Sequence, residues 1–329
     1  MAKVLTRCEV NAIMQECRAS GHLSEYTERS EYFVRLPITL GRGCKRTIQL
    51  RTGLALNVND IVHRQTHIYK IRQHPSSMPL MFNYYLAGGC RVNNDGLAGE
   101  VEEVAGKSYL FRLPSTGEIE EHPAGKHQCL RIQVAPELIY GFREHIDEFP
   151  TVLRYSLEHP ENTILYHPSR ITSAQRQVLR QILEWPYQGL ARHLYLESKT
   201  LELIALHLDQ VLGGSSQRAT PVKDMDRIYA ARDILIQNAI APPSLADLAQ
   251  QVGLSAVKLT RGFRQVFDTT VFNYLHDYRM GQACQLLQTG SLNIQEIAHS
   301  VGYTSGDSFA KAFKKKFKVA PSGYLQRTP

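Results

Sequence analysis

The sequence lacks paired cysteines: its six (Cys8, Cys17, Cys44, Cys90, Cys129, Cys284) form no CxxC unit and no close group with histidine. That excludes a disulfide framework and a cysteine-rich zinc module, and it fits a reducing cytoplasm. Also missing is any apolar run approaching ~18 residues, and the opening segment MAKVLTRCEVNAIMQECRAS carries charges every few positions. Neither a membrane span nor a secretion leader is expected. No nucleophile elbow, phosphate-binding glycine loop or paired-carboxylate pattern occurs, so no catalytic residue is nominated. What is present is ordinary globular composition, with 43% hydrophobic and 21% charged residues over 329 positions, a length that suits two domains.

The basic excess is modest, 38 Lys and Arg against 31 Asp and Glu, but it is uneven: 13 basic and 8 acidic residues follow Thr220. A seam separates this basic third from the rest. Residues 213–221, GGSSQRATP, are rich in Gly and Ser without apolar periodicity, the composition of a linker. Before the seam, about 47–135 holds short β-branched and aromatic segments (TIQLRTGLALNV, MFNYYLAGG, KSYLFRLPS, QCLRIQVAP) between turn residues, predicting an antiparallel sandwich or barrel. About 171–212 then reads as helical, opening on a capping box at Thr172-Ser173-Ala174-Gln175. Its second helix, Leu190 to Leu212, repeats Leu194, Leu201 and Leu208 at seven, with Ile204 and Val211 between them. Leu196, Leu203 and Leu206 make it apolar on more than one face, so it can cover its own sheet and a second subunit together. Leu194, Leu201, Ile204 and Leu208 are the candidate homodimer contacts; burial of both faces within one chain is the plainer alternative.

Past the seam the chain repeats itself. SLADLAQQVGLSAVKLTRGFRQVFDTTVFNYL is answered by NIQEIAHSVGYTSGDSFAKAFKKKFKVAPSGYL. Ala249, Val252 and Gly253 match Ala298, Val301 and Gly302 at an offset of 49, whereas Phe263, Phe267, Tyr274 and Leu275 match Phe313, Phe317, Tyr324 and Leu325 at 50. Each copy predicts helix, tight turn, helix. Ser244 and Asn293 start the first helix of each pair, Gly253 and Gly302 permit the reversal, and Ser255 and Thr304 cap the second helix. This is the helix-turn-helix arrangement, whose second helix fits a DNA major groove. Phe309, Phe313 and Phe317 face inward, leaving Asp307, Lys311, Lys314, Lys315 and Lys318 outside; in the first copy Val257, Lys258, Thr260, Arg261, Arg264 and Gln265 stay outside. A basic outer face suits phosphate neutralisation and base-edge contact, although a solvated charged face is the bland alternative. A connecting helix near Val271 to Leu287 would hold the two reading helices apart on the scale of one ~34 Å DNA turn.

The segment GYTSGDSFAKAFKKKFKVAPSGYL, with Gly302, Tyr303, Phe309, Phe313, Phe317, Pro321 and Tyr324, resembles the C-terminal signature of AraC/XylS-type transcriptional regulators, and the preceding repeat resembles their first helix-turn-helix. LPSTGEIEEHPAGKHQCLRIQVAPELI and RHLYLESKTLELIALHLDQ further resemble the subgroup governing siderophore uptake, of the pyochelin and yersiniabactin regulator type. The resemblance implies an α+β chain. Residues 1–212 would form a cupin-like antiparallel β-barrel with dimerisation helices, for effector binding. Residues 222–329 would form an all-α domain with two helix-turn-helix motifs joined by a long helix. It implies a cytoplasmic activator that meets double-stranded DNA, a small-molecule effector and RNA polymerase, with no membrane contact and no resident cofactor.

By family position, base contacts fall on Val257, Thr260 and Arg261 in the first copy and on Gly306, Asp307 and Lys311 in the second. Arg261 is favoured because a guanidinium bonds a guanine edge bidentately. Lys258, Arg264, Lys314 and Lys315 complete the interface, the lysine run holding the backbone. The effector is expected to be a ferric siderophore or similar metal chelate, with Arg51, Tyr85, Phe111 and Arg131 as lining candidates of suitable type. Two other readings stand beside it, an effector-independent DNA-binding protein and a metal-dependent cupin enzyme. Against the enzyme, His63 and His67 in one strand would lie ~13 Å apart, too far for one ion, and no HxH with a following carboxylate occurs. No metal site is therefore expected.

Overall fold

The computed structural model describes residues 7–20, 25–28, 31–72, 79–94, 97, 99–113, 117–141, 149, 151–159, 164–184, 187–214, 222–289, 292–317 and 319–325. Two compact units emerge, one of Met1–Val92 with Glu102–Ala219, the other of Asn93–Val101 with Thr220–Pro329. Most of the expected linker, residues 215–221, lies outside the described residues, as does Lys318.

The first unit contains α1 (Arg7–Ala19), β1 (Glu25–Glu28), β2 (Glu31–Arg35), β3 (Gly41–Arg51), β4 (Leu54–His63), β5 (His67–Arg72), β6 (Leu80–Ala87), most of β7 (Gly89–Asn94) and of β8 (Val101–Val104), β9 (Lys107–Arg112), β10 (Gly117–His122) and β11 (Gly125–Val134). It continues through α2 (Pro136–Tyr140), α3 (Thr151–Glu158), β12 (Leu165–Arg170), α4 (Ser173–Leu183) and α5 (Gly189–Gly214). Strands begin well before residue 47. GRGCKRTIQLR and the short β1–β2 hairpin are too charged to show the alternation that marks a half-buried strand. The expected closed barrel is corrected to two antiparallel sheets, ordered β1-β2-β3-β4-β11-β6-β9-β12 and β5-β10-β7-β8. The connections β4–β5, β6–β7, β8–β9 and β10–β11 each pass from one sheet to the other, and no strand pairing among the described residues joins them into one cylinder.

Period-two alternation sorts the larger sheet's side chains. Leu54, Leu56 and Val58 of β4, Leu80, Phe82 and Tyr84 of β6, and Leu130, Ile132 and Val134 of β11 are buried in one cluster with Val178, Leu179 and Ile182 of α4 and Leu196, Leu203 and Val211 of α5. Removing each such side chain from water contributes ~1.5–3 kcal/mol, so the principal core lies between sheet and helices. The Thr172 box forms as expected: Thr172 Oγ1 accepts from the Gln175 N–H (3.2 Å) and Gln175 Oε1 from the Thr172 N–H (2.9 Å).

The second unit contains α6 (Val222–Gln237), α7 (Leu245–Gln251), α8 (Ala256–Phe267), α9 (Val271–Thr289), α10 (Ile294–Ser300), α11 (Gly306–Phe317) and α12 (Pro321–Leu325). The sequence duplication extends to ring geometry. Phe263 meets Tyr274 edge to face at 5.7 Å and 85°, and Phe313 meets Tyr324 at 5.4 Å and 83°. Phe267 and Phe317 pack beside these pairs at tilted angles in both copies. Two aromatic cores therefore flank α9, which at 19 residues spans ~28 Å.

Candidate functional site

Each helix pair is fixed by caps at its start and a left-handed glycine at its turn. Ser244 accepts from the Asp247 N–H, Ser255 from the Lys258 N–H, and Asn293 with Glu296 closes a full capping box. Gly253 (φ +66) and Gly302 (φ +82) occupy backbone space that a side chain rarely enters. The expected cap at Thr304 is corrected to Ser305, whose Oγ accepts from the Ser308 N–H at 3.3 Å because α11 starts one residue later than α8 does in its copy. An arginine backs each turn: Arg227 donates to Gly253 O (3.1 Å), and Arg279 donates to Ala239 O (2.7 Å) and Ile240 O (3.3 Å) beside Gly302. Sequence reasoning missed both arginines.

On α8, Leu259, Phe263 and Val266 are buried, Val257 is 77% exposed, and Arg261 and Arg264 face solvent. Two nominated residues are less available. Thr260 is half-buried with its hydroxyl donating to Ala256 O (2.8 Å), and Lys258 ion-pairs with buried Asp224 (3.4 Å) on α6. On α11, Phe309 and Phe313 are buried while Asp307, Lys311, Lys314 and Lys315 face outward. Gly306 is half-buried, its N–H donating to Gln295 Oε1 (3.1 Å). Lys316, expected on the backbone-holding run, instead meets Asp277 of α9 at 2.7 Å. The result is two anchored helices with basic outer faces, arginines Arg261 and Arg264 on the first and lysines Lys311, Lys314 and Lys315 on the second.

The first unit carries a different chemistry. The larger sheet's second face presents Asn59 and His63 of β4, Asn83 and Tyr85 of β6, Tyr109 of β9, and His127, Cys129 and Arg131 of β11; the smaller sheet contributes His67, Cys90, Glu103, Glu120 and His122. Hydrogen bonds tie the sheets together. Arg131 donates to Glu120 (3.4 Å), Tyr166 donates to Glu103 (3.2 Å), and the Tyr85 hydroxyl lies 3.1 Å from Cys90 Sγ. Burial raises the Glu103 carboxyl above its ordinary range and pulls the Lys45 ammonium below its own. A cleft of about 280 Å³ lined by Cys90, Glu103, Lys126 and His127 adjoins this interior.

Of the effector candidates, Tyr85 and Phe111 are buried, and Tyr85 and Arg131 belong to this polar interior. Arg51 does not join them; it pairs with Glu197 of α5 (3.3 Å). The premise about His63 and His67 is corrected. A turn at 64–66 carries the chain from one sheet to the other, so the two rings approach to 4.7 Å instead of lying along one strand. On α5, Leu194 is 58% exposed, whereas Leu201, Ile204 and Leu208 are half-buried against the chain's own core. Leu190 and Leu212 extend the exposed apolar line.

Residues 40–225 match the family described as the regulatory protein PchR N-terminal domain, and residues 248–327 match a helix-turn-helix domain. The chain belongs to the PchR-type regulators of the AraC family. The regulatory protein PchR of Pseudomonas aeruginosa is 39% identical over 124 residues, covering 37% of this chain and 42% of that one. The HTH-type transcriptional regulator AlkR of Acinetobacter baylyi is 39% identical over 87 residues, 26% of this chain and 28% of its own. The chain thus spans less than half the length of these curated relatives. A solved structure of ToxT from Vibrio cholerae with bound unsaturated fatty acid is 14% identical, covering 84% of this chain and 95% of that one at a TM-score of 0.35. The domains and relatives that this chain matches are those of transcriptional regulators. No helix among the described residues is long and apolar enough to cross a membrane.

Proposed function

We propose that this PchR-type regulator is a sequence-specific DNA-binding transcriptional activator controlled by a small-molecule effector. The observation that carries the reading is the duplicated helix-turn-helix unit with exposed Arg261 and Arg264 on one outer helix and Lys311, Lys314 and Lys315 on the other. Arg261 reads a base edge, and the α11 lysines hold phosphates. Double-stranded DNA and RNA polymerase are its macromolecular partners, and the exposed line Leu190, Leu194 and Leu212 on α5 meets a second copy.

The effector enters the polar interior of the first unit and is a ferric siderophore or related metal chelate. Support for this class comes from the resemblance to siderophore-uptake regulators and from cationic and hydroxyl groups, Arg131 and Tyr85, suited to anionic donors. Calorimetry against ferric siderophores, followed by DNA binding with and without the ligand, tests it; DNA affinity indifferent to every chelate removes the effector class.

Selection of bound sequences from random duplexes tests the DNA reading. On the selected site Arg261→Ala costs ~1–3 kcal/mol and relaxes choice at one base pair, whereas Lys314→Ala weakens all sequences alike and lowers the salt slope by ~1. An unchanged specific-to-nonspecific ratio in Arg261→Ala refutes its assignment.

A further inference from the structure

Four histidines meet at one end of the two-sheet unit. His63 ends β4, His67 opens β5, His122 ends β10 and His127 lies near the start of β11, so the two crossovers β4–β5 and β10–β11 deliver one pair each. All four are buried. Ring centroids are 4.7 Å apart for His63–His67, 4.9 Å for His122–His127, and 5.9 Å for both His63–His122 and His63–His127. With metal–nitrogen bonds of ~2.0–2.1 Å, imidazoles on one tetrahedral ion have centroids on the order of 5 Å apart, and the four measured separations bracket that value.

We propose that His63, His67, His122 and His127 form a binding site for one transition-metal ion of the zinc, cobalt or nickel class, clamping the two sheets together. The proposal is independent of the siderophore reading. Buried imidazole nitrogens without partners are costly, and among the described residues His63 Nδ1 and His127 Nδ1 have no hydrogen-bond partner. An ion satisfies them. Glu120 Oε2 lies 2.8 Å from His122 Nε2, which leaves Nδ1 of that ring as its ligating atom, and Arg131 holds Glu120 from the other side. A carboxylate behind a ligating histidine is the usual orienting partner of such sites.

Lys45 and Arg131 face the cluster with positive charge, and Glu120 offsets one of them. That favours a site of moderate affinity for a borderline ion that imidazole prefers, over a hard cation that needs carboxylates. In this structure the candidate site is empty, and no three donors among the described residues converge at ligand spacing. The backbone and the first side-chain torsion set the centroid spacing, so turning each ring about its Cβ–Cγ bond would aim its nitrogens inward with little change in that spacing. Four protein ligands leave no open position, which makes the ion a structural or sensed one and not a catalyst.

The test uses the full chain stripped with a chelator and titrated with cobalt(II) alone. One equivalent should develop the intense visible bands of a tetrahedral site, zinc(II) should bleach them, and Glu120→Gln should weaken binding ~10–100-fold. His63→Asn with His127→Asn, checked for folding by circular dichroism, should abolish the bands. A wild-type spectrum with only the pale bands of octahedral cobalt, or bands persisting in the folded double variant, overturns the proposal. Ferric siderophore binding is measured separately on the stripped chain and decides only the effector reading.

Discussion

The two glycine turns are sequence equivalents, yet their surroundings differ, and alanine at each separates backbone strain from steric displacement. At Gly253 (φ +66) an added Cβ meets nothing nearer than the Arg227 guanidinium carbon at 3.9 Å. Only the left-handed conformation is penalised there, at ~1–2 kcal/mol. At Gly302 (φ +82) the same Cβ lies 2.8 Å from Arg279 Nη2 and 3.0 Å from Ala239 O. Arg279 must then move, although it donates to Ala239 and Ile240 and lies over the Tyr303 ring at 5.8 Å. Losing one hydrogen bond from a charged donor adds ~1.5–3 kcal/mol, for a total of ~2.5–5 kcal/mol against ~1–2 at Gly253. Hydrogen exchange on the full-length variants reads this locally: Gly302→Ala should deprotect α10 and α11, with the chain after α6 loosening too, while Gly253→Ala should perturb α7 and α8 more weakly. Equal effects at the two turns, or Gly302→Ala within ~0.5 kcal/mol of wild type, would refute the role given to Arg279.

Two further outcomes follow from side-chain placement. Leu194→Asp on exposed α5 surface should leave the fold intact by circular dichroism, make the protein monomeric in sedimentation and reduce affinity for paired DNA sites; a persisting dimer places the interface elsewhere. Asp277 is held below its ordinary carboxylate range because His276 and Lys316 outweigh the opposing effect of burial. A depressed native value contributes stability above the unfolded value of ~3.9 and loses it as pH falls through the native one. Chemical denaturation between about pH 5 and about pH 2 should show a shallower acid loss in Lys316→Met than in wild type.

The C-terminal unit was legible because its signals are local and stated twice. Apolar residues at helical spacing, Ser and Asn caps, and glycines at equivalent turn positions recur at an offset of 49 or 50, so each copy checks the other. What escaped depends on long-range partners. Lys258 reads as an outward cation until Asp224, far back on α6, is placed beside it, and Lys316 looks like its neighbours until Asp277 claims it. Thr304 and Ser305 are both competent caps, and only the start of α11 at Gly306 chooses between them.

The N-terminal unit shows the opposite case, in which the pattern was visible and its meaning was not. In β11 the residues His127, Cys129 and Arg131 alternate with Leu130, Ile132 and Val134, an ordinary amphipathic strand on inspection. Such alternation means a polar face, and solvent is the default for it. Here a second sheet covers that face, which topology alone reveals. The same gap explains the histidines. Two residues four apart lie ~13 Å apart along one strand, but a chain that changes sheets between them folds that distance back on itself, bringing the His63 and His67 rings to 4.7 Å. A polar interior is expensive to maintain for folding alone, since every buried donor and acceptor needs a partner. Its persistence opposite a fully apolar core, in a family of regulators, is the physical reason to look for the ligand between the sheets and not under the helices.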